Sequence, residues 1–304
     1  MRIFITSLII VSSFLTVQSQ SKRDCYERLS NLAKLKLNQG KSDTALIIYK
    51  EAFSLIPEES KNKFHYFSFA QYFLANDIID SSACYLEKAL RSGYDSSYIL
   101  KNEKFTSIVE SSYWENIKNI KPTLDNFNWK YYNTIIEMVG VDQAIRDENR
   151  LRNWANDSIY HLVDSINLYT LKRLISKYGL PSVSSQGFHF NEIMILLMHA
   201  SMYSEVMFDE VLKILYKANE EYLIDKGFIA IFIDRRLIWH NKEKQMIGTW
   251  NYSKVFNSIN DLKVVDSLRF TFNLLNLHDY SKLTNLELPQ NYVKSDYPSG
   301  YFCK

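Results

Sequence analysis

Turn-forming residues are scarce in this chain. Its 304 residues include 8 glycines and 5 prolines, where average usage gives roughly 7% and 5%. Strand-rich folds need many tight turns, and tight turns need Gly, Pro or Asn-Gly pairs. The scarcity predicts an all-α fold. Hydrophobic residues make up 46% of the chain and aromatic residues 14%, enough apolar material for one large or two ordinary domains and too much for disorder. A formal net charge of +2 gives no reason to expect nucleic acid as a partner.

The same shortage excludes classes of enzyme. Dinucleotide and phosphate-binding loops need closely spaced glycines, yet the nearest two here are Gly179 and Gly187. No HExxH helix, CxxC pair or GxSxG elbow occurs, and no residue pattern calls for a cofactor. At the start, Arg2 precedes an apolar run from Ile3 to Val17, with small residues up to Ser19. This reads as a secretory signal peptide over residues 1–19 and predicts an exported, periplasmic or secreted chain. No later apolar run is long enough to span a bilayer. Cys25, Cys84 and Cys303 allow at most one internal disulfide.

Residues 24–121 read as helical repeats with a cap, the internal period running from about 24 to 94. Leu29, Leu32, Ala33 and Gly40 lead into Ala45, Tyr49, Ala52 and Pro57; Tyr66, Phe69 and Ala70 lead into Ser82, Leu86 and Ala89. Small residues on paired helices (Ala33 with Ala45, Ala70 with Ser82) permit close antiparallel approach, Tyr49 and Leu86 fill the gap to the next unit, and Pro57 stops a helix. The first unit resembles a tetratricopeptide repeat, and the second is a degenerate version. Leu100, Phe105, Ile108, Trp114 and Ile117 then mark a cap. The resemblance implies a short solenoid of helical hairpins that leans on the next domain, with a groove for a protein or peptide partner. Polar residues of the first helix (Asn31, Lys34, Asn38) are the candidates to line such a groove.

From 125 to 290 helical spacing continues, ahead of a polar tail at 291–304. Trp129 to Val139, Ile159 to Ile175, Phe190 to Met198 and Val206 to Tyr216 read as helices, with a stop at Gly179 and Pro181. Phe228 to Ile238 suits either a helix or a buried strand, and Leu262 to Leu277 reads as one last helix. Polar residues interrupt these apolar runs: Asp142, Gln143 and Arg146; Asp164 and Asn167; His199; Asp234 and Arg235; Gln245, Gly248 and Thr249.

In this order they resemble an uncharacterised bacterial domain family, a domain of unknown function. Its pattern runs Asp-Gln-x-x-Arg, Asp-x-x-Asn, Gly-x-Pro, His-Ala, Asp-Arg and Gln-x-x-Gly-Thr. In exported proteins that look like this one, the domain often follows a repeat-like region. The resemblance points to a site and brings no reaction with it.

Two functions are open. One is an interaction scaffold in the cell envelope, binding a protein or peptide. The other is an enzyme of hydrolase or transferase type. In it His199 is the general acid or base, oriented by Asp164 or Asp234, and Arg146 or Arg235 holds an anionic group. Asp142, Gln143, Asn167, Gln245 and Thr249 complete the candidate binding set. The competing structural explanation is a buried hydrogen-bond network that fixes helix packing. No nucleophile stands at useful spacing. One motif histidine among scattered aspartates lacks the local spacing of a zinc site, so no metal is expected.

Overall fold

The computed structural model describes residues 22–120, 128–151, 157–180, 190–239, 244–249 and 259–294. The expected leader, Pro181, Cys303 and the end of the tail lie outside these residues. The described residues form fourteen α-helices and no strand, the all-α class that the glycine count predicts.

The first four helices make two hairpins, α1 (Lys22–Asn38) with α2 (Ser42–Ser54) and α3 (Lys63–Leu74) with α4 (Ile79–Arg91). Gly40, at φ 73°, lets the chain turn after α1, a backbone state open to glycine without strain. Asn62 starts α3 with a reciprocal cap. Its side chain accepts from the amides of Phe64 and His65, while its own amide donates to His65 Nδ1 at 3.1 Å. The small residues do what close approach requires. Ala33, Ala45, Ala70 and Ser82 are fully buried, and the Ser82 hydroxyl donates across the second hairpin to the Ala70 carbonyl at 2.9 Å. Tyr49 reaches from α2 into the next hairpin, stacking on Tyr72 at 4.3 Å between ring centroids.

Three short helices follow: α5 (Ser96–Leu100), α6 (Thr106–Val109) and α7 (Ser112–Ile117). They close the second hairpin by burying Ile99, Phe105, Ile108, Trp114 and Ile117 against Leu86 and Leu90. Leu100, expected in this cap, is exposed, and its neighbour Ile99 is buried instead.

Helices α8 (Trp129–Leu151), α9 (Asp157–Tyr178) and α10 (Phe190–Ala200) pack on one another. With α11 (Glu205–Glu220) and α12 (Lys226–Trp239) they share a core that includes Tyr131, Ile135, Leu171, Ile193, Leu197, Leu215, Ile229 and Phe232. The segment that suited helix or strand is thus a helix. The single helix expected over Leu262–Leu277 is two, α13 (Val265–Thr271) and α14 (Leu277–Thr284). Asn273, at φ 57°, breaks it, and asparagine is among the few residues that tolerate that left-handed conformation.

Asn273 also ties α1 to the turn between α13 and α14. Its Nδ2 donates to Asp24 Oδ1 (2.8 Å) and Glu27 Oε2 (2.9 Å), and its Oδ1 accepts from Arg28 Nε at 2.8 Å. Glu27 further accepts from Arg23, Asn219 and the Lys226 amide. Arg23 Nη2 donates to the Ile224 carbonyl at 2.6 Å. Of the expected groove residues, Asn31 and Asn38 donate to the carbonyls of Asn273 and Lys282, while Lys34 is exposed.

Candidate active site

Three helices bring their polar residues to one point. Asp142 sits on α8, with Gln143 beside it and Arg146 one turn on, where an i,i+4 pair shares a face. Asp164 comes from α9 and His199 from the end of α10. Arg146 Nη2 bridges the two carboxylates, donating to Asp142 Oδ1 at 2.9 Å and Asp164 Oδ1 at 2.6 Å. Gln143 Nε2 donates to Asp142 Oδ2 at 2.7 Å, and His199 Nδ1 lies 2.9 Å from the same oxygen. Both carboxylates are buried, whereas the Arg146 and His199 side chains keep 21% and 14% of their exposure, so the cluster reaches the surface through its basic members. The Arg146 guanidinium lies over the Tyr160 ring, 4.9 Å from its centroid.

The environment pushes the two carboxyls in opposite directions. Burial works to raise the Asp142 carboxyl, but hydrogen bonds and charge from His199 and Arg146 outweigh it and hold the group well below the usual carboxylate range. Burial raises Asp164, and Arg146 offsets this only in part. Burial opposes the charge on Arg146, yet its two carboxylate partners raise it further above its ordinary value. An ionised Asp142 can only accept, so Nδ1 of His199 carries the proton facing it. In the neutral ring Nε2 is then the basic nitrogen. Among the described residues Nε2 has no hydrogen-bond partner.

Asn167, one turn beyond Asp164 on α9, is buried, and among the described residues no hydrogen bond reaches its Nδ2 or Asp164 Oδ2. Tyr203, outside every sequence motif, also belongs here. Burial pushes its hydroxyl up to about 12, with Arg146 and Asp164 acting on it. Its place in the turn just after α10, close in sequence to His199, was the available signal.

Other candidates do not join this cluster. The expectation that Asp164 or Asp234 orients His199 is corrected, because Asp142 does so. Asp234, fully buried on α12, accepts from the amides of Met246, Ile247 and Thr249 and from the Thr249 hydroxyl, all at 2.8–2.9 Å. It organises the Gln245–Thr249 turn. Arg235 follows it on α12 and is partly buried. Gln245 is buried, its carbonyl accepting from the Asn260 amide at 2.8 Å. The turn is held from the other side by Arg269 Nη1, which donates to the Ile247 and Gly248 carbonyls. Gly248 is at φ 74°, and a Cβ there would stand 3.0 Å from Ile259 Cδ1.

No protein-family model matches the chain, and no curated protein or solved structure is significantly similar to it. Site chemistry therefore rests on geometry. The fold also supplies what residue spacing did not: one ligand-type atom each from Asp142, Asp164 and His199 lie within 4.8 Å of one another.

Proposed function

We propose that the chain is an exported protein whose C-terminal helices carry a hydrolase- or transferase-type reaction centre at Asp142, Arg146, Asp164 and His199. The observation that carries this reading is the hydrogen bond between buried Asp142 and His199 Nδ1. It fixes the ring and presents Nε2, the arrangement a proton-transfer histidine requires. Two carboxyls driven apart in acidity beside that ring fit the division of labour between acid and base roles. Arg146 adds a cation for an anionic substrate group. The resemblance to a domain family of unknown function agrees with the same residues and leaves the reaction open.

The test is a panel of chromogenic ester, phosphoester, amide and glycoside substrates, assayed with wild type, His199→Ala and Asp142→Asn. Turnover of one class by wild type, reduced at least 100-fold in both variants while their folding is retained, supports the reading. Turnover that survives in His199→Ala refutes it.

The interaction-scaffold reading has one observation of its own. Leu162, Ile166 and Tyr169 form a stripe on α9, exposed by 59%, 55% and 65% at helical spacing, and contiguous exposed apolar surface marks interaction sites. The two readings are compatible, since the stripe and the reaction centre occupy different faces of α9.

A further inference from the structure

We infer that the Asp142–Asp164–His199 cluster binds one divalent transition-metal ion, of the Zn²⁺ or Mn²⁺ type. The inference rests on reading the cluster as a reaction centre and names the cofactor of that centre.

The first argument is the ligand set. Two carboxylates and an imidazole, one from each of three packed helices, place ligand-type atoms within 4.8 Å of one another. Zinc bonds to such atoms are about 2.0–2.2 Å long, so the ligand atoms of its tetrahedral site stand about 3.4 Å apart. Small rotations of the three side chains close that difference. A mixed oxygen and imidazole set suits zinc and manganese better than calcium or magnesium.

Asp164 is fully buried and its Oδ1 is turned to Arg146 inside the cluster, yet among the described residues no hydrogen bond of normal length reaches its Oδ2, although the Tyr203 hydroxyl acts on the same carboxyl. A buried carboxylate oxygen without a donor is costly, and a metal ion at that oxygen removes the cost. Asn167 Nδ2, one turn away on the same helix, is likewise buried, with no hydrogen bond reaching it among the described residues. A half-turn of that amide exchanges its nitrogen for its oxygen, and amide orientation is assigned only from partners. The exchanged oxygen is a neutral fourth ligand.

Two carboxylates share one guanidinium in a buried place, which leaves one negative charge unmatched. A divalent ion converts this to one net positive charge. The open positions of the ion then favour hydroxide or an anionic substrate oxygen. An ion held by Asp142, Asp164 and His199 would activate a water as the nucleophile that the sequence lacks. His199 would then serve the ion as a ligand in place of the proton-transfer role proposed above, and the dependence of turnover on metal distinguishes the two.

The experiment is isothermal titration of the tag-free, chelator-treated chain with Zn²⁺ and with Mn²⁺. Wild type, Asp164→Asn, His199→Gln and Asn167→Ala are compared, each checked for native helicity. The expected result is one site per chain, weakened at least tenfold in Asp164→Asn and His199→Gln and less in Asn167→Ala. A Co²⁺ titration of wild type, read by visible absorption, needs no variant and gives the spectrum of a mixed oxygen and nitrogen site. Binding that is absent in wild type, or unchanged by both ligand variants, overturns the inference. The reaction-centre reading is judged separately: substrate turnover that depends on His199 and persists in excess chelator refutes the metal and leaves that reading standing.

Discussion

Replacing Asp234 by alanine should damage folding rather than chemistry, and the structure sets the size of the effect. Two backbone amides donate to one oxygen of this buried carboxylate, and the Thr249 amide and hydroxyl donate to the other. Hydrogen bonds to a charged group contribute about 1.5–3 kcal/mol each. The four share one acceptor and act as a unit, so simple addition overstates their sum. An expected loss is about 3–5 kcal/mol, the range in which named structural defects fall. Asp234→Asn keeps one acceptor oxygen but turns an NH₂ toward the other donors, and should fall between alanine and wild type. Urea denaturation measures the loss. Hydrogen exchange should show the amides of Met246, Ile247 and Thr249 losing protection first. A stability within about 1 kcal/mol of wild type in Asp234→Ala, with those amides still protected, would refute the assignment.

Two further predictions follow from buried charge. Arg146→Met leaves Asp142 and Asp164 buried without their shared cation and should destabilise the chain by about 3–5 kcal/mol at neutral pH; adding Asp164→Asn should recover part of this in the same urea assay, and no recovery would argue against the bridge. His65 is buried against Tyr26, and burial, reinforced by nearby Arg23 and Lys61 and opposed by Asp225, lowers its pKa to about 4 from an ordinary 6.5. The unfolded chain therefore takes up this proton at higher pH than the native one, so the native state keeps this advantage above about pH 6.5 and loses it as pH falls toward 4. The loss is roughly 3 kcal/mol, and His65→Gln, which keeps an acceptor for the Asn62 amide, should flatten that part of a stability-against-pH curve.

Helix content and the small-residue contacts were legible because both are local. Ala33, Ala45, Ala70 and Ser82 face partners a fixed distance along the chain, so their spacing carries the hairpins. The α12 segment was ambiguous for a physical reason: nearly every residue from Ile229 to Ile238 is at least partly covered, so no exposed face imposes a helical period. The break at Asn273 was hidden because its conformation is stabilised by distant residues of α1. At the candidate site, residue order supplied the members without the pairing. Asp142 and His199 are 57 positions apart, and only the packing of α8 against α10 decides that Asp142, and neither Asp164 nor Asp234, holds the ring. The metal-ligand geometry was invisible for the same reason, since its members come from three helices.

The clasp at Asn273 sets an order of events during synthesis. Arg28 leaves the ribosome long before its partner, 245 positions later in the chain. At about 5–20 residues per second the delay is roughly 10–50 s. Throughout it Arg28 lacks its Asn273 partner, and Arg23 and Glu27 have only each other until residues 219–226 and 273 are made. The first helix can thus take its final seat only once residue 273 has been made. Its docking is a late checkpoint, one that a chain truncated before Asn273 cannot pass.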